Sequence, residues 1–62
     1  MKSDARKRFL EVGLVNSVKA QENFEAYMAL AKAIIDAEAV GFKLDPDSVE
    51  KAVKNVLGVE SK

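Results

Sequence analysis

The chain has 62 residues, no cysteine or histidine, and ten basic residues balanced by ten acidic ones. A chain of this length forms one domain at most and buries only about 60% of the surface that its unfolded form exposes. The composition excludes a disulfide framework, and it argues against zinc or haem because their usual sulfur and imidazole ligands are missing. We therefore expect no metal and no cofactor, and a second protein chain is the stabilising element that remains.

The charge is balanced overall but uneven along the chain. Residues 1–11 carry four basic and two acidic side chains, whereas residues 12–40 carry two basic and four acidic ones. A net charge of zero gives no global field that would attract nucleic acid or an anionic membrane. Polar residues also interrupt the first apolar run too early for a signal peptide or a membrane span. We expect a cytoplasmic protein with no membrane partner.

A first helix is predicted over residues 3–12. Ser3 is a suitable N-cap because its hydroxyl can accept a hydrogen bond from an unpaired amide of the first turn. Asp4 follows it, where the helix dipole favours an acidic side chain.

Two interpretations fit the next segment, in which weak helix formers cluster. In the favoured one, Gly13 adopts the left-handed conformation and ends the first helix, and Asn16 or Ser17 caps the next. In the alternative, a single bent helix runs over residues 3–40 and needs a partner along much of its length.

A long central helix is predicted over residues 17–40, and Gly41 suits the position just beyond its end. Its apolar side chains fall within one arc of roughly 160° on a helical wheel, with charged residues opposite. This pattern is typical of a helix that faces a core and around which the other helices are arranged. The residues of the arc are Phe24, Tyr27, Met28, Leu30, Ala31, Ile34 and Ile35.

The strongest local signal predicts a third helix over residues 46–57. Asp45 is a typical N-cap, and Pro46 fits the first helical position, where a missing N–H costs nothing. Gly58 ends the helix, and residues 59–62 are expected to form a frayed tail. The loop before this helix is short, so it and the central helix should form an antiparallel hairpin. The prediction is one all-α domain over residues 1–62, a small helical bundle of a short, a long and a C-terminal helix.

The apolar residues of the N-terminal region exceed what one packed face needs. We interpret this excess as the surface that binds a protein partner or forms a homodimer, composed of Phe9, Leu10, Leu14, Val15 and Val18. No pairing of nucleophile and base is recognisable, so we expect no enzyme. The predicted function is a small regulator or inhibitor that binds protein, including itself, through apolar helix surface.

Nucleic-acid binding is the first alternative. The basic residues Arg6, Lys7 and Arg8 could contact phosphate from the first helix. A helix-turn-helix formed by the central and third helices is not favoured. Its second helix, residues 46–57, begins with Asp47 and Glu50, which would repel phosphate.

Acidic residues near the start of the third helix do not form a calcium loop. An EF-hand loop that began at Asp45 would need a glycine at its sixth position and a glutamate at its twelfth. The sequence has Glu50 and Val56 there. Helix capping accounts for the same acidic residues.

A second alternative comes from a family resemblance in the stretch AKAIIDAEAVGFKLDPDSVEKAV. This stretch resembles the Nif11-type leader region of bacterial peptide natural-product precursors, in which an alanine-rich helix ends in a glycine-aromatic pair before a short acid-capped helix. Gly41 and Phe42 match the pair, and residues 49–53 match the second helix. The resemblance implies recognition by a peptide-modifying enzyme. The sequence lacks the double-glycine cleavage site of that region.

Overall fold

A computed structural model describes residues 3–59 of the chain. This part of the chain is helical and without strands, which confirms the predicted all-α bundle. None of its helices is both long and apolar enough to cross a membrane. The helices are α1 (Asp4–Val15), α2 (Ser17–Glu22), α3 (Phe24–Ala39) and α4 (Pro46–Leu57).

The first helix begins as predicted but ends later. The Ser3 hydroxyl accepts a hydrogen bond from the Arg6 amide at 3.1 Å. Gly13 does not end the helix, so that prediction is wrong: α1 runs through this glycine to Val15. Asn16 provides the break instead, because its backbone leaves the helical region and its side-chain amide donates to the Val12 carbonyl at 2.9 Å.

A second asparagine divides the predicted central helix. Asn23 has nearly the same backbone conformation as Asn16, and its side-chain amide donates to the Lys19 carbonyl at 3.0 Å. In both places the amide bonds to the carbonyl four residues earlier, which competes with continuation of the helix. The segment predicted over 17–40 is therefore two helices, and a single bent helix over 3–40 is excluded.

The boundaries of α4 agree with the prediction. The Asp45 carboxylate accepts a hydrogen bond from the Ser48 amide at 3.0 Å, and Gly58 ends the helix in the left-handed conformation with φ 72°. Val59 was expected in a frayed tail, but its amide donates to the Lys54 carbonyl at 3.0 Å and its side chain packs against the core. Residues 60–62 of the predicted tail lie outside the described residues.

The core lies mainly between α1 and α4. Each of these helices supplies three buried apolar residues, whereas α3 supplies only Ile34. Correspondingly, α1 packs against α4 more extensively than α3 does. The central helix is thus not the element around which the fold is organised, and the predicted hairpin is confirmed only in part. The buried set is Ala5, Phe9, Val12, Ile34, Val49, Val53 and Leu57.

Helix α3 runs antiparallel to both α1 and α4. Its start reaches the end of α4, where the Asn23 side chain donates to the Leu57 carbonyl at 3.5 Å. Its end reaches the start of α1, where Arg6 Nε lies 3.2 Å from the Glu38 carboxylate. α3 therefore spans the bundle while contributing little to its interior.

Only one side of the apolar arc of α3 faces the core. Tyr27, Leu30 and Ala31 are half-buried around Ile34, whereas the Phe24, Met28 and Ile35 side chains are exposed. A bundle with three long helices covers a narrower part of each helix than the roughly 160° arc that the sequence shows. The uncovered part of this arc leaves apolar side chains exposed on the outer face of α3.

Candidate interaction surface

An apolar groove runs between α1 and α3. It consists of two cavities of about 230 Å³ each, and Leu10 lines both. Leu14 and Phe24 line the first cavity, and Ile35 lines the second. We call this feature the α1–α3 groove and define it by Leu10, Leu14, Phe24 and Ile35.

The side chains that line the groove remain accessible to solvent. Leu10 is 57% exposed, Leu14 77%, Phe24 59% and Ile35 52%. Isolated exposed apolar residues are common on any protein, but a contiguous apolar patch marks a surface used for binding. The groove has this contiguous form because α1 and α3 present their outer apolar residues side by side.

An aromatic stack forms the floor of the groove. The Phe9 and Tyr27 rings lie parallel, with their centroids 4.5 Å apart. A tyrosine hydroxyl is already neutral near pH 7, and burial raises the pKa of Tyr27 further, so this aromatic floor carries no charge. Gly13 faces the hydroxyl end of the Tyr27 side chain, and a Cβ atom at that position would be 2.6 Å from Tyr27 Cζ. The absence of a side chain at Gly13 is what allows α3 to approach α1 so closely.

The structure separates the five residues predicted to form the partner or dimer interface. Phe9 belongs to the core, whereas Leu10 and Leu14 lie together in the groove. Val15 is exposed on the opposite side of α1, near Arg8 and Lys54, and Val18 is exposed on α2 outside the groove lining. Their role in an interface stays a prediction.

Sequence reasoning missed the contribution of α3 to this surface. Phe24 and Ile35 fit the arc that was assigned to the core, so nothing set them apart. A signal was present, because α3 carries two apolar rows: one row is formed by Tyr27, Leu30 and Ile34, and the other continues from Phe24 through Met28 to Ile35. Which of the two rows faces the core depends on how α1 and α4 pack together. The spacing of apolar residues along α3 does not reveal this packing.

The three basic residues proposed for phosphate contacts have different surroundings. Arg6 pairs with Glu38 on α3, and Arg8 Nη1 lies 3.0 Å from Asp47 and 2.6 Å from Glu50 on α4. These ion pairs connect α1 to both neighbouring helices.

Lys7 has no ion pair within residues 3–59. Phosphate binding by Arg6, Lys7 and Arg8 remains a prediction. A phosphate would have to compete with the carboxylates that already hold the two arginines.

Glu50 should make part of the stability sensitive to acid. Hydrogen bonds from Lys54 and Arg8 lower the pKa of its carboxyl below the usual 4.5. A lowered folded-state pKa gives stabilisation that is present above the unfolded value and is lost as the pH falls through the folded value. We expect the urea midpoint to fall less between about pH 6 and about pH 3 in Glu50→Gln than in the unmodified protein.

Glu11→Gln is the control. It removes a carboxylate that has no such partners in the described chain, and it should behave like the unmodified protein. An equal fall in all three proteins would contradict this role of Glu50.

Comparisons of the chain with protein-family models, with curated proteins and with solved structures gave no match. The resemblance to Nif11-type leader regions therefore stays an interpretation of the sequence.

Proposed function

We propose that this chain is a small protein-protein interaction module without enzymatic activity, and that it binds through the α1–α3 groove. One observation carries this proposal: the groove residues remain more than half exposed after the fold has closed its own core. Burying such apolar surface against a partner contributes about 25 cal/mol per Å². Association is therefore the event for which this surface is suited.

The shape of the groove favours a helical partner. Two antiparallel helices form its walls, and its floor is aromatic and uncharged, which suits the apolar face of an amphipathic helix. A small protein whose described part presents an apolar groove of this kind can act by binding a partner and blocking the partner's other contacts. This supports the role of regulator or inhibitor, with self-association as one form of binding.

Leu14→Glu is expected to weaken binding at least about tenfold, because it removes apolar contact and places a charge where the partner excludes water. The matched control is Val15→Glu. Val15 is the next residue and is exposed to a similar extent, at 81%, but its side chain points away from the groove. Both variants place an acid in the last turn of α1, so any effect on the helix itself should be shared.

The measurement is sedimentation equilibrium for self-association, combined with quantitative capture of proteins from the native host on immobilised protein. Val15→Glu should retain the self-association and the captured partners that Leu14→Glu loses, while circular dichroism shows equal helicity. Equal retention by the two variants, or equal loss, would show that binding does not use the groove.

A further inference from the structure

An apolar row of α3, exposed at three of its four positions, has the spacing of a coiled-coil seam. Phe24, Met28, Ala31 and Ile35 follow one another at intervals of four, three and four residues. This alternation keeps apolar side chains on one narrow line along a helix, as in the a and d positions of a heptad. The row is about 17 Å long. Phe24, Ala31 and Ile35 line the α1–α3 groove, and Met28 lies outside the lining of its two cavities.

Two opposite charges flank this row at equivalent positions. Glu25 directly follows Phe24, and Lys32 directly follows Ala31, so the two lie on the same side of the seam seven residues apart. Both are exposed, and neither takes part in an ion pair within residues 3–59. Charges that flank a seam in this way form ion pairs between helices and determine their orientation.

We propose that the groove is occupied by a second copy of this chain, with α3 antiparallel to α3 of its partner about a two-fold axis. This inference rests on the proposed function and names the partner. With the axis midway along the seam, Phe24 lies opposite the partner's Ile35 and Met28 lies opposite the partner's Ala31. In the same register Glu25 meets the partner's Lys32, and the two-fold axis repeats this ion pair with the roles of the subunits exchanged.

Charge complementarity favours the antiparallel orientation. In an antiparallel pair, equivalent flanks of the two helices face each other, so the flank with Glu25 and Lys32 is complementary to itself. In a parallel pair the flank with Glu25 and Lys32 would face the other flank of the partner helix. That other flank is formed by Tyr27 and Ile34, which are turned toward the interior of their own subunit. The charges would then have no counterpart, and electrostatic complementarity is what fixes register at an interface.

The first helix completes the contact. Leu10 lies between the two cavities, near the middle of the seam, and Leu14 lies beside Phe24. In the proposed register the partner's Ile35 enters the cavity that Leu14 and Phe24 line. Each subunit then contributes α1 and α3 to a four-helix interface, which is larger than two short α3 helices could form alone.

Charge reversal tests both the partner and the orientation. Glu25→Lys alone places two pairs of lysines across the interface, and Lys32→Glu alone places two pairs of glutamates there. Each variant is expected to dimerise on the order of tenfold more weakly than the unmodified protein at low ionic strength. An equimolar mixture should regain the original affinity, because every mixed dimer has two pairs of opposite charge. Sedimentation equilibrium of single variants and of the mixture measures these affinities, and circular dichroism of dilute samples checks that each variant folds.

The other outcomes separate this inference from the proposed function. If the unmodified protein dimerises but the mixture is no tighter than the single variants, the antiparallel register is overturned and the groove remains a binding surface. A protein that stays monomeric at all accessible concentrations overturns the second copy as occupant. In that case the contrast between Leu14→Glu and Val15→Glu in capture of host proteins still decides the proposed function.

Discussion

Leu57→Ala is expected to lower the free energy of unfolding by about 2 to 4 kcal/mol. Leu57 is 1% exposed and lies in the last turn of α4, where it closes the core that α1 and α4 share. The substitution removes buried apolar surface and leaves a cavity that the helices around it fill only in part. A domain of this length has a total stability of only about 3 to 9 kcal/mol, so the variant should be close to unfolding at room temperature.

Urea denaturation followed by circular dichroism measures this loss. Val18→Ala is the control, because Val18 is 68% exposed and its truncation should change stability by less than about 0.5 kcal/mol. A loss below about 1 kcal/mol for Leu57→Ala would mean that the end of α4 does not close over the core as described.

Gly13→Ala should destabilise the protein by about 1 to 3 kcal/mol, although alanine is the better helix former. In an open helix the change from glycine would gain up to about 1 kcal/mol. Here the new Cβ atom would lie 2.6 Å from Tyr27 Cζ and 3.0 Å from Tyr27 Cε1. The ring cannot retreat freely because it stacks on Phe9. We therefore expect the steric cost to exceed the gain in helix propensity.

A double-mutant cycle isolates this steric effect. Tyr27→Ala removes the ring, and in that background Gly13→Ala should stabilise the protein by up to about 1 kcal/mol, as in an ordinary helix. The change of sign between the two backgrounds is the expected result, and thermal or urea melts of the four proteins measure it. Stabilisation by Gly13→Ala in the presence of Tyr27 would contradict the close approach of α1 and α3.

The helix ends that depend on neighbouring residues could be predicted from the sequence. Asp45 and Pro46 start α4 and Gly58 ends it, since capping and backbone conformation are decided within a few residues. The sequence predicts the break at Asn16 only approximately, and it does not predict the break at Asn23. Asparagine is a weak helix former whose side chain can bond to the backbone instead, but its presence alone does not fix where a helix ends.

Features that depend on distant parts of the chain could not be predicted. The sequence suggests backbone freedom as the role of Gly13, whereas its actual role is to make room for Tyr27. The width of an apolar arc likewise does not reveal which part of it is covered. The pairing of α1 with α4 buries Ile34 and leaves Phe24 and Ile35 exposed, and the candidate surface arises from this division.

The short helix α2 has a consequence for how the molecule fluctuates. It has six residues, none of them is fully buried, and only Ala20 among them packs against the core, so the core protects its hydrogen bonds less than those of α1 and α4. Segments of this kind open locally at a small free-energy cost, without unfolding of the whole domain. Ala20 and Gln21 of α2 line one end of the α1–α3 groove. Local opening of α2 would therefore widen that end of the groove for larger side chains while α1 and α4 stay packed.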